Sequence, residues 1–252
     1  SAPFTGPAAQ LGIQFYQGAK LHFDRVNAQG GMRPIELRNL DDGYEPERCA
    51  ENTRKFINDD NVLALFGYIG TPTSLAALPL AVKARVPFFA PFTGAMSLRE
   101  PFNRNVFHVR ASYNDETALI VKQLTELGLR KIAVFHQNDA YGKAGLDGVT
   151  LALAAQNLKP VATATVERNS EDVAAAVQKL VAAGPDAVVQ VSAYKSCAAF
   201  VRAARKAGYG GTFYNVSFVG TQALADELCK YGAGVVVTQV VPSPYTSTHP
   251  LA

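Results

Sequence analysis

The chain has 252 residues, 48% apolar and 18% charged, which excludes a disordered polymer and leaves room for one large domain or two ordinary lobes. The net charge is only +3, and the basic residues are spread without a dense cluster, so nucleic acid is not an expected partner.

In chain order, the first element is a helix over residues 8–28. Leu11, Phe15, Ala19, Phe23 and Val26 share one face, and Gly30-Gly31 stops it. A strand follows over 35–41, a helix over 46–59, a strand over 62–67 and a helix over 73–84. Two strands, 87–91 and 106–110, come before a pause at Ala111-Ser112-Tyr113-Asn114. The alternation resumes with a helix over 115–127, a strand over 131–136 and a helix over 142–157. Strands over 161–166, 187–192, 212–217 and 234–241 then enclose helices over 170–183, 195–207 and 221–231. Many strands are short apolar runs without polar alternation, the signature of a sheet covered by helices on both faces.

Helix alternating with strand predicts an α/β fold of parallel βαβ units. The pause near 111–114 divides it into two lobes, each a parallel sheet flanked by helices. Residues 1–112 form lobe 1 in part, 113–241 form lobe 2, and 242–252 cross back towards lobe 1. Pro242 and Pro244 end the last strand and stiffen this exit. No strand precedes the first helix and the sequence stops soon after the prolines. Lobe 1 is therefore expected to lack its N- and C-terminal parts and to leave apolar surface uncovered.

Catalytic signatures are poor: there is no GxSxG, no GxxxxGK[ST], and no GxGxxG after a strand. Gly67-Tyr68-Ile69-Gly70 follows a strand, but a lone GxxG is weak evidence for a dinucleotide site. His22, His108, His136 and His249 share no metal spacing, and His136 reads as structural at a strand end. Cys49, Cys197 and Cys229 show no CxxC; they read as separate buried thiols, and a Cys197–Cys229 pairing stays open. No apolar run reaches the roughly 18 residues of a membrane span. The start at Ser1-Ala2-Pro3 carries no signal-peptide pattern, as a mature, processed chain would also look. Neither a cofactor nor a metal is expected, and the chain is not expected to be an enzyme.

The informative residues lie at the carboxyl ends of the strands, where open parallel sheets bind ligands. There the chain places Thr71-Pro72-Thr73-Ser74, Thr93-Gly94-Ala95, Asp139-Ala140-Tyr141-Gly142, Ala193-Tyr194-Lys195 and Ser217-Phe218-Val219-Gly220. Hydroxyls, glycine amides and tyrosines suit a pocket that grips a small ligand by hydrogen bonds and ring contact. Thr71 sits where a strand turns into a helix, a place that favours a carboxylate. A plain helix N-cap at Thr71 or Thr73 explains the same residues equally well.

With these stretches together, the chain resembles the type I periplasmic solute-binding proteins of the branched-chain amino-acid (Leu/Ile/Val) uptake system. Further matching stretches are Ser1-Ala2-Pro3-Phe4-Thr5-Gly6, Asn27-Ala28-Gln29-Gly30-Gly31, Asp41-Asp42-Gly43-Tyr44-Glu45-Pro46 and Phe66-Gly67-Tyr68-Ile69-Gly70. The resemblance covers essentially the whole chain. It implies two α/β lobes joined by three crossovers, with the ligand held between them. Thr71 then matches the hydroxyl on the ligand carboxylate, and Thr93, Gly94 and Ala95 match the segment that meets the amino-acid head. Tyr141 and Tyr194 match aromatics of the second lobe, and Leu11 matches a bulky residue against the ligand side chain. Ser217 stands where leucine binders keep an acid for the ligand ammonium; Asp139, Asp115 or carbonyl groups would have to replace it. Positions Tyr44 and Gly70, near which some members carry a disulfide, are not cysteine here. Family chains also run about 100 residues further, roughly another domain half.

The resemblance implies a periplasmic monomer that captures a small amino-acid-like carboxylate and delivers it to the membrane permease of an ABC transporter. A ligand-sensing receptor or regulator of the same fold is the alternative. A nucleotide-binding α/β enzyme lacks its phosphate loop, and fold alone does not fix function.

Overall fold

Short apolar runs and amphipathic helices assemble, in a computed structural model that describes residues 1–30, 33–243 and 246–248, into two separate parallel sheets. The chain divides into two units. Unit 1 comprises Ser1–Phe92 and Arg104–His108; unit 2 comprises Thr93–Asn103 and the described residues from Val109 onward. This division differs from a boundary at 112. The Tyr113 N–H donates to the Gly94 carbonyl at 2.7 Å, and Arg99 donates to the Arg110 and Ala111 carbonyls, so 93–103 is tied to the chain beyond 109.

Unit 1 holds α1 (Ala9–Gln29), α2 (Pro46–Asn58), β1 (Leu65–Phe66), α3 (Thr71–Ala84), β2 (Phe88–Phe89) and β3 (Val106–Phe107). The strands lie in the order β1-β2-β3, with Leu65 beside Phe88 and Phe88 beside Val106. One side of this sheet is closed by α2 and α3 around Cys49, Phe56, Leu65, Tyr68, Ala77 and Phe88. On the other side Phe15 and Phe23 of α1 pack on Phe66 at 5.6 Å. Phe89 and Phe107 on β2 and β3 stay 42% and 47% exposed, so apolar sheet surface is uncovered there.

The expected strand over 35–41 is not formed; only Asp41 pairs, in an isolated parallel bridge with Ala2. Residues 35–39 and 62–66 instead line a cavity of about 460 Å³. The Ile35 backbone turns instead to the Asn27 side-chain amide. Gly31, and the end of the chain at 249–252, lie outside the described residues, as do Pro244 and Tyr245 of the predicted exit.

The Asp41-Asp42-Gly43-Tyr44 stretch is a turn held by its own acids. Asp41 accepts from the Phe4, Thr5 and Gly43 N–H groups, the Thr5 hydroxyl and Arg48. Burial pushes its carboxyl up, but these bonds together outweigh burial and hold it well below the usual carboxylate range. A depressed folded-state pKa contributes stability above the unfolded value near 3.9, which is lost as pH falls. Asp41→Asn should therefore cost roughly 1–2 kcal/mol at pH 7, allowing for partial solvent exposure. Urea titrations should show the gap closing below about pH 4; a pH-independent gap would mean that shape rather than charge holds the turn.

Unit 2 carries α4 (Tyr113–Glu126), β4 (Ile132–Gln137), α5 (Ala140–Ala154), β5 (Thr163–Val166), α6 (Ala174–Ala182), β6 (Ala187–Val191), α7 (Tyr194–Lys206), β7 (Thr212–Asn215), α8 (Thr221–Leu228) and β8 (Val235–Val237). All pairings are parallel, in the order β5-β4-β6-β7-β8. Every residue of β6 is buried, as a strand covered on both faces requires. Phe135 stacks on Phe200 at 4.3 Å, and Phe200 meets Phe213 edge-on, which locks α7 to β4 and β7. α4 begins earlier than its acids suggest, because Ser112 and Asp115 form a reciprocal capping box one turn before the apolar face. β7 ends at Asn215, since Ser217–Val219 is a tight 3₁₀ turn rather than strand.

Candidate functional site

In unit 1, β1 runs through Ile69, which bridges Phe92, into the start of α3. The cap of α3 is Gly70, neither Thr71 nor Thr73, and it makes no side-chain bond. Its φ is +99°, and a Cβ there would fall 2.3 Å from the Tyr44 ring, so only glycine fits. Thr71 is the first residue of α3 and is buried; the Thr73 hydroxyl is used locally, donating to the Ile69 and Gly70 carbonyls. The positive end of α3 therefore sits at Thr71, with Pro72 in the first turn. Leu11, also in unit 1, is buried in the first turns of α1. Neither residue lines the 460 Å³ cavity, and none of the other candidate residues does.

Unit 2 gathers most of the others. The Ala95 N–H and Thr93 hydroxyl bond at 3.3 Å, and Thr93 donates on to the Tyr113 hydroxyl at 3.3 Å. Gly94 lies so close to Tyr113 that a Cβ would meet the Tyr113 nitrogen at 2.7 Å and its ring at 2.8 Å. The Tyr113 ring contacts Tyr141 at 5.4 Å, and Tyr141 contacts Phe218 at 4.5 Å. The Tyr141 hydroxyl donates to the Ser192 carbonyl at 3.5 Å. Tyr194 opens α7 two residues further on and is buried. Burial pushes the Tyr113 hydroxyl up to about 12, against the pull of the Arg110 cation, so Tyr113 stays neutral.

Ser217 reaches this cluster through charge. Its neighbours are Arg110, 2.6 Å from its hydroxyl, and Glu116, which accepts its backbone N–H at 2.7 Å. The acid that bonds Ser217 is thus Glu116. Asp139 is taken up in capping α5 through the Tyr141 and Gly142 N–H groups, and Asp115 in capping α4. Sequence reasoning missed Arg110, Tyr113, Glu116 and Phe218 as a group. Phe218 stands in a stretch singled out for its hydroxyl, so its ring contact was within reach, whereas Tyr113 lay in the pause at 111–114 and opens α4. The Arg110–Ser217 and Glu116–Ser217 pairs span 107 and 101 residues, which no local pattern signals.

The thiols differ from their reading in one place. Cys49 and Cys197 are buried, and burial pushes Cys49 up to about 12, but Cys229 is exposed, on the turn after α8. All three are free, so Cys197 and Cys229 do not pair. Burial lowers His136, whose ring bonds the neighbouring Gln137 carbonyl and caps a strand end. Among the described residues no group of His, Cys, Asp and Glu is arranged to hold a metal, and no helix is long and apolar enough to cross a membrane.

A family profile described as periplasmic binding protein matches residues 1–249. The Leu/Ile/Val-binding protein homolog 7 of Brucella abortus is 26% identical over 82% of this chain and 54% of its own length. An amino acid binding protein of Pseudomonas aeruginosa is 25% identical over 94% of this chain and 65% of its own. The chain thus spans about half to two thirds of the relatives it matches. Among solved structures, that of a possible leucine/isoleucine/valine-binding protein from Rhodopirellula baltica is 37% identical, with a TM-score of 0.94, covering 99% of this chain and 69% of that one. A substrate-binding periplasmic protein from Ralstonia solanacearum is 31% identical with a TM-score of 0.93, covering 99% and 71%.

Proposed function

Since the chain belongs to the type I periplasmic binding proteins of the Leu/Ile/Val-binding family, we propose that it captures a small carboxylate, amino acids included, and hands it unchanged to an ABC transporter permease. It acts in the periplasm as a monomer, without cofactor or chemistry. The observation that carries this reading is the cluster of Thr93, Tyr113, Tyr141 and Phe218 with Ser217, which joins hydroxyls to aromatic faces beyond the strand ends of unit 2. Such a cluster offers a small ligand hydroxyls and ring faces.

Unit 1 supplies Thr71 at the positive end of α3 for the ligand carboxylate, with Leu11 against its side chain. Unit 2 supplies Thr93, Gly94 and Ala95 for the polar head, and Tyr141 and Tyr194 to close over it. Glu116 provides the acid that Ser217 lacks, but Arg110 offsets its charge, so the ligand amine is optional.

A thermal-shift screen of amino acids and small carboxylic acids tests this. A true ligand at 100 times its dissociation constant should add about 2.7 kcal/mol of stability. If every acid in the screen left the melting temperature unchanged, the reading would be wrong.

A further inference from the structure

Three segments of unit 2 converge on one carboxylate. Glu116 lies in the first turn of α4, and its side chain is 3% exposed. Its Oε1 accepts from Arg110 at 2.7 Å and from the Ser217 hydroxyl at 3.1 Å; its Oε2 accepts from the Ser217 N–H at 2.7 Å and the Thr238 hydroxyl at 2.5 Å. Arg110, 5% exposed, stands two residues past His108, where the chain passes into unit 2. Thr238 directly follows β8, and its N–H donates to the Asn215 carbonyl at the end of β7. Ser217 opens the turn that carries Phe218 onto Tyr141.

A buried ion pair is often no more stabilising than well-packed apolar side chains of equal volume. What apolar side chains would not supply is direction. A carboxylate that accepts from a guanidinium, an amide and two hydroxyls fixes where each donor points. The bonds to Ser217 use both its backbone and its side chain, so the turn is fixed in position and in rotation. The chain entry at Arg110 and the exit from β8 are fixed by the same group.

We propose that Glu116 is a positioning residue: it latches the Ser217–Val219 turn, the entry at Arg110 and the end of β8 into one arrangement, which sets Ser217 and Phe218 in place for ligand. The latch stands on contacts within unit 2; only its consequence for ligand rests on the binding function proposed above.

The test is nitrogen–proton NMR of the wild type and Glu116→Gln, with L-leucine titrated into both. An amide that donates to a carboxylate resonates at low field. The Ser217 amide should move upfield in Glu116→Gln, with Thr238 moving too, while β4 and β6 keep their resonances. L-Leucine affinity should fall about tenfold, the effect of losing one well-placed polar contact. An unmoved Ser217 amide overturns the proposal, as does an unchanged L-leucine affinity in a variant whose Ser217 amide has moved. If Glu116→Gln fails to fold, Thr238→Val removes one donor and keeps the charges. The Ser217 amide should then shift with it, and an unmoved Ser217 overturns the latch. If the wild type binds no L-leucine, the amide shifts alone decide for or against the latch.

Discussion

Arg110→Ala is expected to destabilise unit 2 by about 3–5 kcal/mol, the usual cost of breaking a buried ion pair from one side. Arg110 and Glu116 are 5% and 3% exposed, so neither can recruit bulk water once its partner is gone. The variant leaves the Glu116 carboxylate with only neutral donors from Ser217 and Thr238. It also removes the guanidinium that lies 5.5 Å over the Tyr113 ring. Urea unfolding followed by circular dichroism measures the loss. A change below about 1 kcal/mol, the range of exposed pairs, would show that solvent reaches the pair.

Thr71→Ala is expected to weaken ligand binding by ten- to hundredfold. If Thr71 donates to a ligand carboxylate, the lost bond is charge-assisted and worth about 1.5–3 kcal/mol. Thr71 does not cap α3, because Gly70 does, so the helix keeps its start in the variant. Calorimetry with the tightest acid from the thermal-shift screen checks this. Equal affinity in wild type and variant would place the carboxylate elsewhere.

Much of the fold was legible in the residues. The run at 187–191 reads as a doubly covered strand because it is almost wholly apolar without alternation, and it lies buried in the interior of a parallel sheet. Glycine and hydroxyl residues past the strand ends marked Thr71, Thr93, Tyr141 and Ser217, since turn chemistry is local. Strand 35–41 misled because pattern reports which residues suit a strand, not whether they join a ladder; only Asp41 pairs, in a single bridge. The start of α3 was read two residues late, since Thr73 resembles a cap while Gly70 is one through its backbone conformation. Glu116 sits in the first turn of α4, where an acid suits the helix dipole, and that local reason hides its long-range one. Charge pairing across a hundred residues is set by topology, which periodicity does not encode.

Capture without chemistry is the central claim. Its most direct test is calorimetric titration of the protein with the panel of amino acids and carboxylic acids, followed by NMR of the recovered ligand after long incubation. The predicted result is saturable binding of at least one acid, one molecule per chain, returned chemically intact. Absence of binding across the panel, or an altered ligand, would contradict it.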